Sequence, residues 1–271
     1  MFMKDCPYKK IVLVTGASSG IGKKTAERFA KNGFKVYALS RRQDETVTEF
    51  EGGGSLIGIR ADVTDADSLK TAFSKIESLG IVIHCAGFGI AGSAESVTPE
   101  QAKKQMDTNY FGVINVNNFA LPLLRQNERS LVMFTSSVAG IIPIPYQSHY
   151  SSSKYALEAY AQALGMEAGD FGVRVCIVEP GDIKTSFTAA RMSFEPENSS
   201  YYGKSRIAVS KMEKSEQNGA DPEDVVKVFY KTAFKKRPRI KIVVGFEYKF
   251  YAFLIKLLPV RLKNSIIKRM Y

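Results

Sequence analysis

The chain has 271 residues, with 38 Lys and Arg against 27 Asp and Glu, for a net charge of +11. Hydrophobic residues at 45% and charged residues at 24% exclude disordered, collagen-like and coiled-coil classes. Three Cys and two His, with no Cys-x2-Cys pair, exclude a disulfide framework and leave no metal site to expect.

The charge is unevenly placed. Residues 231–271 hold 12 basic side chains and one acidic, Glu247, which leaves 26 of each in residues 1–230. A uniformly basic nucleic-acid binder is not divided this way, so no nucleic-acid partner is expected. Residues 1–10 are mixed and polar, unlike an export signal, and no apolar run reaches the ~18–20 residues that span a bilayer. A cytoplasmic protein is expected, with peripheral membrane contact left open.

In chain order, short β-branched runs predict strands at 11–15, 35–39, 56–60, 81–85, 131–136, 173–179 and 240–244. Between them apolar residues recur three and four apart, as in Ile21, Thr25 and Phe29 or Leu69, Phe73 and Ile76, which predicts helices. Such alternation reads as an α/β fold: a single, doubly wound, parallel sheet of seven strands with helices on both faces. Residues 1–245 make up this body, and 246–271 form a basic, aromatic helical extension of the same domain or peripheral to it. Gly52, Gly53 and Gly54 read as a turn into the third strand, and the polar stretch 186–203 as a lid or a disordered segment.

The first predicted strand runs into Gly16-Ala17-Ser18-Ser19-Gly20-Ile21-Gly22 and then a helix. Glycines permit a tight turn and close approach to a pyrophosphate, whose charge suits the N–H groups of a helix N-terminus. At the end of the second strand, where a non-phosphorylated dinucleotide calls for a carboxylate, the chain has Ser40, Arg41 and Arg42. Guanidinium groups suit a 2′-phosphate, so NADP(H) is the expected cofactor.

Tyr150 and Lys154, four apart, share a helix face, which places an ammonium near a phenol. Ser137 lies 13 residues before Tyr150, at the end of the fifth strand, and Asn109 lies in the preceding helical segment. Together they offer an acid, a cation, a hydroxyl to hold a carbonyl oxygen, and an amide.

With these motifs in order, and with Asp62-Val63 after the third strand and Pro180-Gly181-Asp182-Ile183-Lys184-Thr185 after the sixth, the chain resembles the short-chain dehydrogenase/reductase family. The resemblance spans about residues 8–245. It implies that Tyr150 is the general acid or base, that Lys154 lowers its pKa and holds the nicotinamide ribose, that Ser137 polarises the substrate oxygen, and that Asn109 holds a water. It further implies that Asp62 and Val63 flank the adenine, and that Pro180, Gly181, Ile183 and Thr185 line the nicotinamide end, near Cys85, Ala86 and Gly87.

One departure is that the family's usual Asn-Asn-Ala-Gly is replaced by His84-Cys85-Ala86-Gly87, which predicts an altered local hydrogen-bond pattern with catalysis intact. His84 reads as a core or strand-end histidine and His149 as a rim or surface residue; Cys6 and Cys176 read as ordinary small side chains.

Ile144, Tyr146, Phe187, Met192 and Phe194 are expected to border an apolar substrate cleft, which implies a hydrophobic ketone or alcohol such as a steroid, retinoid or long-chain keto-lipid. The rival is a catalytically silent NADP(H)-binding regulator, which the intact set of Asn109, Ser137, Tyr150 and Lys154 disfavours. The family implies a homodimer or homotetramer. For residues 246–271 two readings stand: helices docked near the cleft, or contact with an anionic membrane surface.

Overall fold

The computed structural model describes residues 5–271, apart from the Lys256 side chain, so residues 1–4 of the opening polar segment lie outside the described part. In β1 (Ile11–Thr15) Val12 and Val14 enter one helix layer and Leu13 the other, all fully buried, which is why this run shows no polar alternation. The chain continues through α1 (Gly20–Ala30), β2 (Lys35–Ser40), β3 (Val47–Glu49), β4 (Ser55–Arg60), α2 (Ala66–Phe73), β5 (Ile81–His84), β6 (Ile90–Ala91), α3 (Pro99–Met106) and α4 (Gly112–Leu124). There follow β7 (Ser130–Thr135), α5 (Ser148–Glu167), β8 (Val173–Pro180), β9 (Met192–Ser193), α6 (Tyr202–Gln217), α7 (Pro222–Thr232), β10 (Lys241–Val244), α8 (Phe246–Leu257) and α9 (Val260–Met270).

The main sheet has the order β10-β8-β7-β5-β1-β2-β4-β3. Its strands are parallel except β3, which pairs antiparallel with β4 through Val47↔Ile57 and Glu49↔Ser55. The seven predicted strands are all present, and β3 is an eighth. Three exposed residues at a sheet edge bury nothing, so they carry no hydrophobic signature to read.

One face is covered by α1 and α7, with Phe29 and Phe229 fully buried against Val14 and Val36. The other is covered by α2, α4 and α5 through Leu69, Val116 and Leu157. The first crossover starts from β1 toward β2 and the next element to join the other side is β5, so strand succession reverses between β1 and β5. A crevice forms there, outside the C-terminal strand ends.

The polar stretch 186–203 is partly anchored: β9 pairs with β6 through Ile90↔Met192 and Ala91↔Ser193, and α6 begins at Tyr202. The tail folds back over the strand ends. The Tyr248 hydroxyl donates to Asp182 Oδ2 at 2.6 Å, Ile267 is buried, and Tyr271 packs against the cluster of Ile144, Tyr150 and Met212. Among the described residues no helix is long and apolar enough to cross a membrane.

Candidate active site

A cleft of about 830 Å³ opens at the strand ends. Its first wall is the turn after β1. Gly16 has φ +65°, and a Cβ there would come within 2.7 Å of the Ala86 nitrogen, so only glycine lets the β1 and β5 turns touch. Ser19 caps α1 without a side-chain hydrogen bond, which leaves the first helical N–H groups facing the cleft.

The replacement of the family's asparagine is resolved by hydroxyls. Thr15 Oγ1 accepts from the Cys85 and Ala86 amides at 3.1 and 3.2 Å, and the Thr135 hydroxyl donates to Cys85 Sγ at 3.2 Å. The ends of β1, β5 and β7 are thus cross-tied without the amide. Burial pushes the Cys85 thiol up to about 12, so it stays protonated and unreactive. His84 is a core residue: Nε2 meets Asn117 Oδ1 at 2.9 Å, the ring stacks on Phe134, and burial lowers its pKa to about 4.

Next along the cleft comes Lys154, buried, its ammonium donating to the Thr135 carbonyl at 2.9 Å and standing 5.7 Å from the Tyr150 ring centroid. Burial lowers it from 10.5 to about 8. Tyr150 moves the other way, pushed up by burial to about 12 against the opposing hydrogen bond with Ser137. Burial is the largest effect on Tyr150 in this resting arrangement, in which the Lys154 ammonium is hydrogen-bonded to Thr135. Ser137 N-caps the short turn Val138–Gly140, with Ala139 N donating to its oxygen at 3.1 Å.

Asn109 lies in a turn of π-helix, Asp107–Phe111, between α3 and α4. The extra residue per turn re-aims one side chain and recurs at functional sites. Its amide donates to the Phe88 carbonyl at 3.0 Å and Ser153 Oγ at 3.1 Å, and its Oδ1 accepts from Phe88 N at 3.1 Å. Asn109 therefore sits beneath the cleft and pins the Gly87–Phe88 turn to α5.

The residues expected around a dinucleotide all line the cleft: Gly16, Ser18 to Gly22, Ser40 to Arg42, Asp62, Val63, Cys85 to Gly87, Pro180, Gly181, Ile183 and Thr185. Ser40 Oγ is buried with no hydrogen-bond partner, and Arg41 lies 3.9 Å from Asp62 with 68% of its side chain exposed. An orphaned hydroxyl and two exposed guanidinium groups at the end of β2, with the glycine cradle, fit a dinucleotide phosphate.

Of the residues expected to border the substrate, Ile144 and Phe187 line the cleft, and the Phe187 ring lies 5.7 Å from that of Tyr150. Tyr146, Met192 and Phe194 do not. Tyr146, at φ 59°, packs against the cluster of Ile144 and Tyr150 and accepts from Gly92 N through its carbonyl; the Met192 and Phe194 amides donate to the Gly89 and Ala91 carbonyls. Other residues line the cleft in their place, most of them from the extension for which docking near the cleft was one of the two readings. Tyr248, Tyr251, Ile255, Ile267 and Tyr271 come from the tail, and Glu216 also lines the cleft, paired with the buried Arg191 and accepting from the Thr188 hydroxyl. A Cβ at Gly181 would overlap the Tyr248 ring, so only glycine lets the ring pack against that backbone. Partners 25 and 66 residues apart leave no local signal.

A family model described as short chain dehydrogenase matches residues 10–196. A 3-ketodihydrosphingosine reductase of Bacteroides thetaiotaomicron is 37% identical over 87% of this chain and 88% of its own. A short-chain dehydrogenase from Streptomyces avermitilis superposes with a TM-score of 0.80 at 22% identity over 96% of both chains. A short chain dehydrogenase/reductase from Burkholderia phymatum, solved in complex with NAD, gives 0.78 at 21% over 95% of both. The chain belongs to the short-chain dehydrogenase/reductase family, whose members are oxidoreductases that use a nicotinamide cofactor.

The buried ammonium sets a stability test. Because burial lowers Lys154 from 10.5 to about 8, the folded protein sheds that proton first, and this site favours folding increasingly as pH rises from about 8 to 10.5. Lys154→Met is expected to unfold at higher urea than the wild type at pH 7, by about 1–3 kcal/mol. The margin should shrink toward pH 10.5; a margin that widened would contradict the assignment.

Proposed function

We propose that this protein is an NADP(H)-dependent reductase that interconverts a carbonyl and a secondary alcohol on a hydrophobic substrate. The observation that carries the reading is one cleft that joins a glycine cradle and paired arginines to Tyr150, Ser137 and Lys154 under an apolar roof. The Bacteroides relative is named for reduction of a keto compound, which agrees with it.

The bound cofactor would supply the hydride. Gly16 to Gly22 and the α1 N-terminus would hold its pyrophosphate, and Arg41 and Arg42 its 2′-phosphate. The chain's own contribution is position and a proton. At neutral pH Tyr150, near 12, keeps its proton and can donate it to the substrate oxygen; Ser137, hydrogen-bonded to Tyr150, holds that oxygen in line. Lys154, near 8, is charged at neutral pH and stabilises the phenolate left behind. Asn109 keeps the Gly87 turn in place beside it. Ile144, Phe187 and the tail exclude water and select an apolar substrate, of the steroid, retinoid or long-chain keto-lipid kind. In a homodimer or homotetramer, α4 and α5 would pack across a two-fold axis, where Phe111, Tyr155 and Met166 stand exposed.

Tyr150→Phe is expected to abolish NADPH-dependent ketone reduction while NADPH still binds by fluorescence titration; wild-type turnover in that variant would refute the role. Arg41→Ala/Arg42→Ala is expected to lower the NADPH-to-NADH ratio of kcat/KM by at least about tenfold, since two charge-assisted contacts are lost. An unchanged ratio would refute the 2′-phosphate site.

A further inference from the structure

Helix α8 is apolar on two opposite sides. Tyr248, Ala252 and Ile255 line the cleft. Phe246, Phe250, Phe253 and Leu257, spaced at i, i+4, i+7 and i+11, form a single stripe on the other side. They are 87%, 57%, 62% and 67% exposed, and Val260 and Leu262 of α9 continue the apolar surface at 64% and 50%. A contiguous aromatic patch of this kind marks an interaction surface rather than an ordinary solvated helix face.

Cations accompany the stripe. Lys249, Arg261, Lys268 and Arg269 are exposed, and among the described residues no ion pair engages them. Lys235, Lys236, Arg237 and Arg239 lie exposed just before β10, and Glu247 is the one acidic residue in 231–271. Apolar rings interleaved with unpaired Lys and Arg complement a lipid interface carrying negative headgroups. A second copy of the chain would bring the same cations against one another.

The stripe also meets the cleft: the ring of Phe250 lies 6.3 Å from that of cleft-lining Tyr251. Tyr251, Ile266 and Met270 line the cleft and are 46%, 42% and 48% exposed, so they form its rim on the tail side.

We propose that the outward face of α8 and α9 seats the enzyme on an anionic phospholipid surface, with the tail-side rim of the cleft at the lipid boundary. A hydrophobic substrate then enters from the lipid past Tyr251 and Met270 without crossing water; this last step rests on the reductase reading above. The seating itself does not.

The test is co-sedimentation of the full chain with vesicles of phosphatidylcholine alone or of phosphatidylcholine and phosphatidylglycerol in equal parts. The wild type is expected to pellet with the mixed vesicles, to remain in solution with phosphatidylcholine, and to be released by added salt. Phe250→Ser/Phe253→Ser changes only exposed side chains and is expected to lower the bound-to-free ratio at fixed lipid by at least about tenfold, with thermal unfolding unchanged. A second variant, Lys268→Glu/Arg269→Glu, is expected to weaken binding to the mixed vesicles in the same direction, which secures the test if the first variant unfolds. Equal pelleting of wild type and both variants, or no pelleting of the wild type, overturns the proposal. So does a Ser variant that pellets normally but falls to a smaller oligomer by light scattering, which makes the face a contact between copies. Pelleting is read without turnover, so its failure leaves carbonyl reduction standing.

Discussion

The site depends on one line of hydrogen bonds across the C-terminal ends of three parallel strands. Thr15 at the end of β1 accepts from the two amides after β5; Thr135 at the end of β7 donates its hydroxyl to Cys85 and offers its carbonyl to Lys154. Each strand end would otherwise leave backbone groups without partners, and an unmade bond away from bulk water is costly. By closing them on one another, the chain fixes the glycine turn, the Gly87 turn and the ammonium in a single frame. Asn109 extends it below, tying Phe88 to Ser153 on α5. Tyr150 and Lys154 leave α5 one turn apart, so the same frame that places the ammonium places the phenol.

That frame carries an electrostatic cost. Burial opposes the charged form of both groups, lowering Lys154 toward 8 and raising Tyr150 toward 12. For the reduction proposed above, these shifts would leave at neutral pH a phenol that keeps its proton until a substrate oxygen draws it, and an ammonium that is charged but only moderately basic. The tail contributes to the same burial. Tyr248 bonds Asp182 and packs against Gly181, while Tyr271 packs into the cluster that holds Tyr150. Asp182 rises because burial outweighs its bond to Tyr248. The extension 246–271 therefore has two sides, one that lines the cleft and one that faces outward with Lys249, Arg261, Lys268 and Arg269, for which the described residues supply no ion pair.

What the sequence reveals follows from the reach of each interaction. The seven core strands are legible because strands buried on both faces are continuous apolar runs; β3 is not, because an edge of three exposed residues buries nothing. The glycine turn, the Arg41–Arg42 pair and Tyr150 with Lys154 are legible because their chemistry demands fixed spacing. Ile144 and Phe187 line the cleft, whereas Met192 and Phe194 on and beside β9 do not, and neither does Tyr146. The pairing of β9 with β6, two residues each, turns that stretch outward, and nothing in so short a run signals it. The Arg191–Glu216 and Tyr248–Asp182 contacts join distant segments, so periodicity is silent about them. Lys154 shows a related limit: spacing brings an ammonium near a phenol, but only the surrounding burial tells which effect sets the phenol's pKa.

The measurement that bears most directly on the central claim is isotope transfer. NADPH dideuterated at C4 of the nicotinamide ring, incubated with the enzyme and a hydrophobic ketone, should yield the secondary alcohol with one deuterium on the carbinol carbon and a proton from solvent on its oxygen. Detection by mass spectrometry of label at that carbon is the predicted result. An unlabelled alcohol, or consumption of NADPH with no alcohol formed from any ketone of a steroid, retinoid and long-chain panel, would contradict it.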